Sequence, residues 1–473
     1  MRWTAVHLLA AIALVCVLGA CGGGGDDAPA QRPNVLLISI DSLRADHVGC
    51  YGYAKPTTPT IDRLAREGVM FRSAVSTTSW TLPAHAAMFT GLYDSAHGAT
   101  DVTARLDERH VTLAEAMRDA GYQTVGLYGG PFLHPTFGLD QGFETYINCM
   151  SVLPSDAPAE AFREYASHAA SHDDVTGPRT AEQFAAWLES QAAADGRPMF
   201  AFIHLWDVHF DYIPPEKYVR MFDADYQGDV TARNFMNNDA VHPGMDARDL
   251  AHVLALYDGE IRFTDDIIAQ LLDALREAGR LDNTLVVITS DHGEEFFEHG
   301  GKGHQRTLFD EVVRVPLVVW WPGRVEAGGV VEQQVRLIDI APTLLAAAGA
   351  AVPQAMQGRD LRPVMDGAGV TDEAALLELL GFGERVCGVR TNDYELLRDE
   401  QRELVGFFDL HKDPREQRSV SGDARARTAA EQLRALVAAN EALRMADEEG
   451  AGNDATMDDA MRRRLESLGY TGD

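Results

Sequence analysis

Short apolar runs of strand length recur along the chain, each bounded by polar or helix-stopping residues. Asn34–Ile40, Thr124–Tyr128, Met199–Leu205, Leu285–Thr289 and Val315–Trp321 are the clearest. Their near-continuous apolar character suits strands buried on both faces. Between them the spacing becomes helical. Thr57–Glu67 has Thr58 and Pro59 near its start and Gly68 after it. Thr112-Leu113-Ala114-Glu115 is a capping box opening a helix that ends at Gly121. Ala251–Ala278 has long helical periodicity, and Asp339–Ala348 is a helix stopped by Gly349. Strands alternating with helices predict an α/β fold with a large, mostly parallel central sheet flanked by helices.

From about residue 380 the pattern changes. Arg385–Thr391, Tyr394–Arg398 and Glu403–Asp409 read as short antiparallel strands with tight turns. Helices are expected over Ala424–Met445 and Ala455–Leu468, with Asp447–Asp454 a solvated loop between them. The division is an α/β domain over 33–375 and a small C-terminal subdomain, antiparallel sheet plus helices, over 376–473. Residues 150 to 190 are polar and Ala-rich and predict little.

The N-terminus is a targeting segment. Arg2 precedes an apolar stretch, Val6–Val17, too short to span a bilayer comfortably. Leu18-Gly19-Ala20-Cys21 resembles a bacterial lipoprotein signal, with residues 1–20 removed and Cys21 acylated. An ordinary signal peptide is the alternative; a Cys directly after small residues and before a Gly-rich stretch favours the lipoprotein. Residues 21–32 form a flexible polar tether, so the expected membrane contact is through the lipid anchor only, in the cell envelope.

Charge narrows the partners. The 473-residue chain carries a formal net charge of −31, which argues against a broad nucleic-acid or anionic-lipid surface. A small anionic substrate would then need a local positive focus, such as a metal. Of the five cysteines, Cys16 belongs to the leader and Cys21 would be acylated; Cys50, Cys149 and Cys387 suggest neither a disulfide framework nor a thiolate zinc site.

The candidate chemistry sits at strand ends and one helix start. Asp41, Asp207 with His209, and Asp291 with His292 lie just beyond three of the buried strands, and parallel strands bring such ends to one rim. The stretch Ser79–Gly91 reads as a loop entering a short helix, with Thr81 at its N-terminus and His85 one turn on, able to face the same anion. Two carboxylates, an imidazole and a Thr hydroxyl (Asp41, Asp291, His292, Thr81) make a nitrogen/oxygen site for one divalent metal.

These residues lie in segments that resemble the sulfatase family of the alkaline phosphatase superfamily. Asn34–Gly52, with Asp41-Ser42-Leu43-Arg44 and Gly49-Cys50-Tyr51-Gly52, looks like its first metal strand. Thr81-Leu82-Pro83-Ala84-His85 stands where the family has Cys/Ser-x-Pro-x-Arg. Ser290–Glu294, Glu298-His299-Gly300, Arg314–Leu317 and Phe408-Asp409-Leu410 with Asp413, Pro414 and Glu416 resemble later segments. The resemblance implies an alkaline phosphatase-like sandwich and a metal-dependent ester hydrolase acting on a small anionic ester.

The chain departs from the family at three positions. Thr81 replaces the residue oxidised to formylglycine, His85 the Arg, and Ser42 a second acidic residue after Asp41. Loss of that oxygen ligand favours Mn²⁺ or Zn²⁺ over Ca²⁺. The implied route is attack by Thr81 to give a phospho- or sulfo-threonine. His209, His85 and either Lys302 or His304 would neutralise charge or protonate the leaving oxygen. The nucleotide pyrophosphatase branch suggests a second ion on Asp207, His209 and His304. Competing readings are an arylsulfatase-like sulfuric ester hydrolase, an envelope phospho-transferase and a non-catalytic binding scaffold. The plain Thr nucleophile predicts a preference for phosphorus over sulfur, with activity following His85 protonation.

Overall fold

A computed structural model describes residues 32–150, 175–191, 196–369, 372–381, 385–399, 405–420, 422–447, 454–459, 461–462 and 465. The leader, Cys21 and all but the last residue of the tether lie outside the described residues, as does most of the second C-terminal helix.

The strands are β1 (Asn34–Ile40), β2 (Val69–Val75), β3 (Gln123–Tyr128), β4 (Thr145–Asn148), β5 (Met199–Leu205) and β6 (Thr284–Ser290). Then follow the two-residue strands β7 (Glu295–Phe296), β8 (Lys302–Gly303) and β9 (Arg314–Val315). Next come β10 (Leu317–Trp320), β11 (Gly329–Arg336), β12 (Ala375–Leu379), β13 (Val386–Arg390), β14 (Tyr394–Asp399) and β15 (Val405–Asp409). The main sheet runs β11-β2-β10-β6-β1-β5-β3-β4, with β9 beside β2. Its pairings are parallel except those of β9 and β10. Pro316 separates β9 from β10, because it has no N–H to give a ladder.

Strand β1 explains why the runs are continuously apolar. Val35 and Leu37 pack into one core with Leu82, Met88 and Phe89 of the helix Thr81–Thr90 and with Leu344 and Leu345 of the helix Ile340–Ala348. Leu36, Ile38 and Ile40 pack into the other, with Tyr257 and Ile261 of the helix Ala247–Glu277 and Phe184 of the helix Gly177–Ser190. Each fully buried side chain of this size is worth roughly 1.5–3 kcal/mol, so both faces must be apolar for the sandwich to close.

β2, β4, β11, β12 and the helix Gly177–Ser190 are additions to the sequence reading. Arg72 interrupts β2 and points to solvent, and β11 carries Glu332-Gln333-Gln334. β12 contains Glu378, a buried carboxylate that accepts from the Ser95 N–H and hydroxyl, each at 3.0 Å. In β2, β11 and β12, a polar residue satisfied by tertiary contacts or solvent hides the strand from a hydrophobicity scan. β12 to β15 form an antiparallel sheet against the helix Ala424–Asp447.

The sheet order decides the site. β1 lies between β6 and β5, with Ile40 level with Ser290 and Leu205. The residues after all three strands therefore emerge on one rim.

Candidate active site

Thr81 is the first residue of its helix, and Trp80, with an extended backbone, is the N-cap. The Thr81 hydroxyl therefore has no capping duty. It lies 3.4 Å from Asp41 Oδ2 and 3.4 Å from His292 Nε2, buried between β1 and β6. Gly91, at φ 64°, ends the helix in the left-handed region that only glycine enters without strain.

Asp41 and Asp291 are both buried. Ser42, in the left-handed region at φ 55°, turns its N–H to Asp291 Oδ1 at 3.2 Å and its hydroxyl to Asp41 Oδ1 at 2.6 Å. Ser42 thus stands where an acidic ligand was expected and braces both carboxylates instead. Burial and then the neighbouring Asp291 push Asp41 up to about 7. Burial acts upward on Asp291 as the largest single influence, but His292, His85, His204 and the His292 N–H together outweigh it and leave Asp291 below its ordinary value. Two close buried acids divide in this way.

The imidazoles are pinned individually. His292 donates from Nδ1 to the Gly293 carbonyl at 2.9 Å, which leaves the Nε2 lone pair facing Asp291 Oδ2 at 3.4 Å and Asp41 Oδ1 at 3.9 Å. His304 holds Glu294 Oε1 through Nδ1 at 3.0 Å, and its ring lies 4.4 Å from that of His292. Tyr212 donates to the other Glu294 oxygen at 2.6 Å. Burial pushes Glu294 up to about 8 and His304 down to about 4. His209 stacks on Trp206 at 3.8 Å, with its ring 5.0 Å from His304. The row His292, His304, His209 leads outward from the carboxylates.

Several expectations are corrected. His85 does not face the substrate side: it is buried beneath the site, with Nδ1 donating to the Thr81 carbonyl at 2.8 Å and lying 3.7 Å from Asp291 Oδ2, and Nε2 on the Ser39 hydroxyl at 3.0 Å. Burial holds it down at about 3, so no protonation of His85 near neutral pH tunes the site. Lys302 turns away, with Nζ on the carbonyls of Asn238 and Val241, and His304 takes the place left open between them. Asp207 accepts from the Thr176 N–H at 2.7 Å and hydroxyl at 3.1 Å, bracing the start of the helix Gly177–Ser190. It joins none of the ligand clusters among the described residues, so the second-ion set of Asp207, His209 and His304 is not assembled.

The donor set fits a divalent cation. Ligand atoms of Asp41, Asp291 and His292 lie within 4.8 Å of one another. Asp291 Oδ2 is buried without a hydrogen-bond donor. Among the described residues no lysine or arginine pairs with either carboxylate. Two buried acids with no guanidinium or ammonium are costly unless a cation joins them.

The family model described as Sulfatase matches residues 33–350. The chain belongs to the sulfatase family. A second model, the N-sulphoglucosamine sulphohydrolase C-terminal region, matches residues 298–442. This sulfatase-family chain is similar to the multifunctional alkaline phosphatase superfamily protein PehA of Trinickia caryophylli, 28% identical over 83% of this chain and 92% of PehA. It is also similar to the N-acetylglucosamine-6-O-sulfatase of Bacteroides thetaiotaomicron, 24% identical over 83% of each. Among solved structures, the phosphonate monoester hydrolase of Agrobacterium radiobacter superposes with a TM-score of 0.69 at 26% identity, over 86% of this chain and 96% of that one. The sulfatase-family chain is an ester-hydrolysing enzyme of the α/β architecture described above.

Sequence reasoning missed Glu294 and His204 as site residues. Glu294 directly follows the quoted Asp291-His292-Gly293, so proximity was a signal. His204 lies inside the apolar run of β5, where an imidazole reads as core.

Proposed function

We propose that this sulfatase-family enzyme hydrolyses phosphonate monoesters or phosphate diesters through a covalent threonine intermediate, in preference to sulfate esters. The observation that carries the reading is Thr81 Oγ1, 3.4 Å from both Asp41 Oδ2 and His292 Nε2 and free of capping duty. Asp41, Asp291, His292 and Thr81 would hold one divalent ion, Mn²⁺ or Zn²⁺ rather than Ca²⁺. Bound there, the ion lowers the pKa of the Thr81 hydroxyl and polarises a non-bridging oxygen of the ester.

The chain's own residues supply the remainder. The Thr81 hydroxyl gives up its proton to solvent water, its oxygen forms a bond to phosphorus, and the ester alcohol leaves with its bonding electrons. Glu294, protonated at neutral pH because its value is pushed up to about 8, donates to His304 Nδ1. The neutral His304 then presents Nε2–H, which gives its proton to the departing oxygen while Nδ1 takes the proton of Glu294. Water cleaves the threonine ester at phosphorus and restores the hydroxyl. A formylglycine hydrate expels sulfate by losing a second hydroxyl proton; Thr81 has no second hydroxyl, so its ester must be opened at the transferred atom. That requirement favours phosphorus. The similarity to the phosphonate monoester hydrolase supports the same choice.

The test is a side-by-side assay on metal-loaded protein with p-nitrophenyl phenylphosphonate, bis-p-nitrophenyl phosphate and p-nitrophenyl sulfate. The expected order of kcat/KM puts either phosphorus ester above the sulfate. A sulfate value above both would return the enzyme to the arylsulfatase-like reading.

We further propose that the enzyme is exported and held at a membrane by acylated Cys21. Cys21→Ser should move it from the membrane fraction to the soluble one or leave it unprocessed, because the Gly-rich tether offers no apolar surface. Retention in salt-washed membranes would refute the anchor.

A further inference from the structure

His204 is an imidazole of the site that the reaction just described does not use. His204 sits in β5 level with Ser39 of β1, one position before the strand's end. It is fully buried and donates from Nδ1 to the Gly129 carbonyl at 2.9 Å. That carbonyl comes so close because Gly129 lacks a Cβ, which would sit 2.7 Å from Trp206 Cβ.

With Nδ1 committed as a donor, Nε2 carries the lone pair. Nε2 has no hydrogen-bond partner, and it lies 3.4 Å from Asp41 Oδ2. A nitrogen lone pair and a carboxylate oxygen thus face each other in a buried site. Leaving such groups unjoined in a buried site is costly. The same construction holds His292: Nδ1 on a glycine carbonyl, Nε2 toward the carboxylates. Pinning the far nitrogen on a carbonyl is how proteins aim an imidazole at a metal. Asp41 divides its oxygens between the two rings, Oδ1 toward His292 and Oδ2 toward His204. His204, His85 and Asp291 offer ligand atoms within 4.8 Å of one another, and Asp291 is shared with the cluster that Asp41 and His292 complete.

We propose that His204 is a protein ligand of the divalent-metal centre, giving it two imidazole nitrogens. This rests on the metal-dependent reading of Asp41, Asp291 and His292. Two nitrogen donors beside two carboxylates move the preference further from Ca²⁺ and Mg²⁺ toward Mn²⁺ and Zn²⁺. His85, whose ring meets that of His204 edge-on at 4.9 Å, is the support beneath it; its Nδ1–H is committed to Thr81.

Pulsed EPR of the Mn²⁺-loaded protein counts coordinated imidazole nitrogens directly. The wild type should show two, a measurement that needs no variant to fold. His204→Gln and His292→Gln should each show one. His204→Gln should also bind Zn²⁺ about tenfold or more weakly in competition with a chelator. A wild type with a single coordinated nitrogen, or a His204→Gln variant with unchanged spectrum and affinity, would overturn the assignment of His204 alone. A wild type that binds no divalent cation would overturn the metal reading beneath it as well.

Discussion

Thr81→Ala should remove nearly all turnover while leaving the protein folded. Loss of a nucleophile in a site that works as a unit costs about 10⁴-fold or more in kcat. The fold should be indifferent, within about 0.5 kcal/mol, because the N-cap position is Trp80 and the Thr81 hydroxyl bonds only to site residues. Thr81→Ser keeps the oxygen and should retain far more activity than the Ala variant. Acid-quenched wild type, sampled during turnover of a slow phosphonate ester, should carry the phosphonyl group on Thr81 by peptide mass spectrometry. Thr81→Ala should carry none. An Ala variant within tenfold of wild-type kcat/KM would mean that water attacks directly and Thr81 is only a neighbour.

The second large effect concerns the carboxylates. Asp41→Asn combined with Asp291→Asn should abolish cation binding and turnover, and Asp41→Asn by itself should make the metal-free protein more stable at pH 8 than the metal-free wild type. Both groups are fully buried, and no lysine or arginine offsets them among the described residues. Burial raises the folded-state value of Asp41 to about 7, above its ordinary value of 3.8. The sign follows from that difference: the protonated form is favoured by folding, so the contribution of Asp41 to stability is complete below about pH 4 and lost as pH rises through 7. Metal-free wild type should therefore melt lower at pH 8 than at pH 5, and Asp41→Asn should flatten that slope. Added Mn²⁺ should raise the melting temperature of the wild type only, since binding to the native state alone stabilises it. A double variant that still gains stability from Mn²⁺, or still turns over in a chelator-sensitive way, would place the metal elsewhere.

Much of this enzyme was legible in one dimension. A strand buried on both faces must be apolar at successive positions, so β1, β5 and β6 announced themselves. The polar residues that follow them had to lie at a common rim once the strands were parallel. Asp41, Asp291, His292 and Thr81 were found that way, because strand ends and helix starts are local features. The small antiparallel sheet at the C-terminus showed through its alternation, although β12 was hidden by Glu378, whose partner Ser95 is remote in sequence.

Tertiary structure decided what depends on direction and on partners far along the chain. Lys302 and His304 are separated by Gly303, whose φ of 83° turns the backbone between them. That turn sends the ammonium to Asn238 and Val241 and the imidazole to Glu294, and side-chain periodicity carries no trace of it. His85 lies one helical turn from Thr81, as its spacing requires, but its burial and its bond to Ser39 come from the sheet beneath. Asp207 was placed correctly at a strand end, yet Thr176 claims its carboxylate. His204 was invisible for the opposite reason: the sequence determines that it lies in a buried strand, and only the register of β5 against β1 places its free nitrogen 3.4 Å from Asp41. Hydrophobic pattern fixes which residues reach the rim, because burial is a property of each residue; which rim residues meet is set by packing between elements distant in sequence.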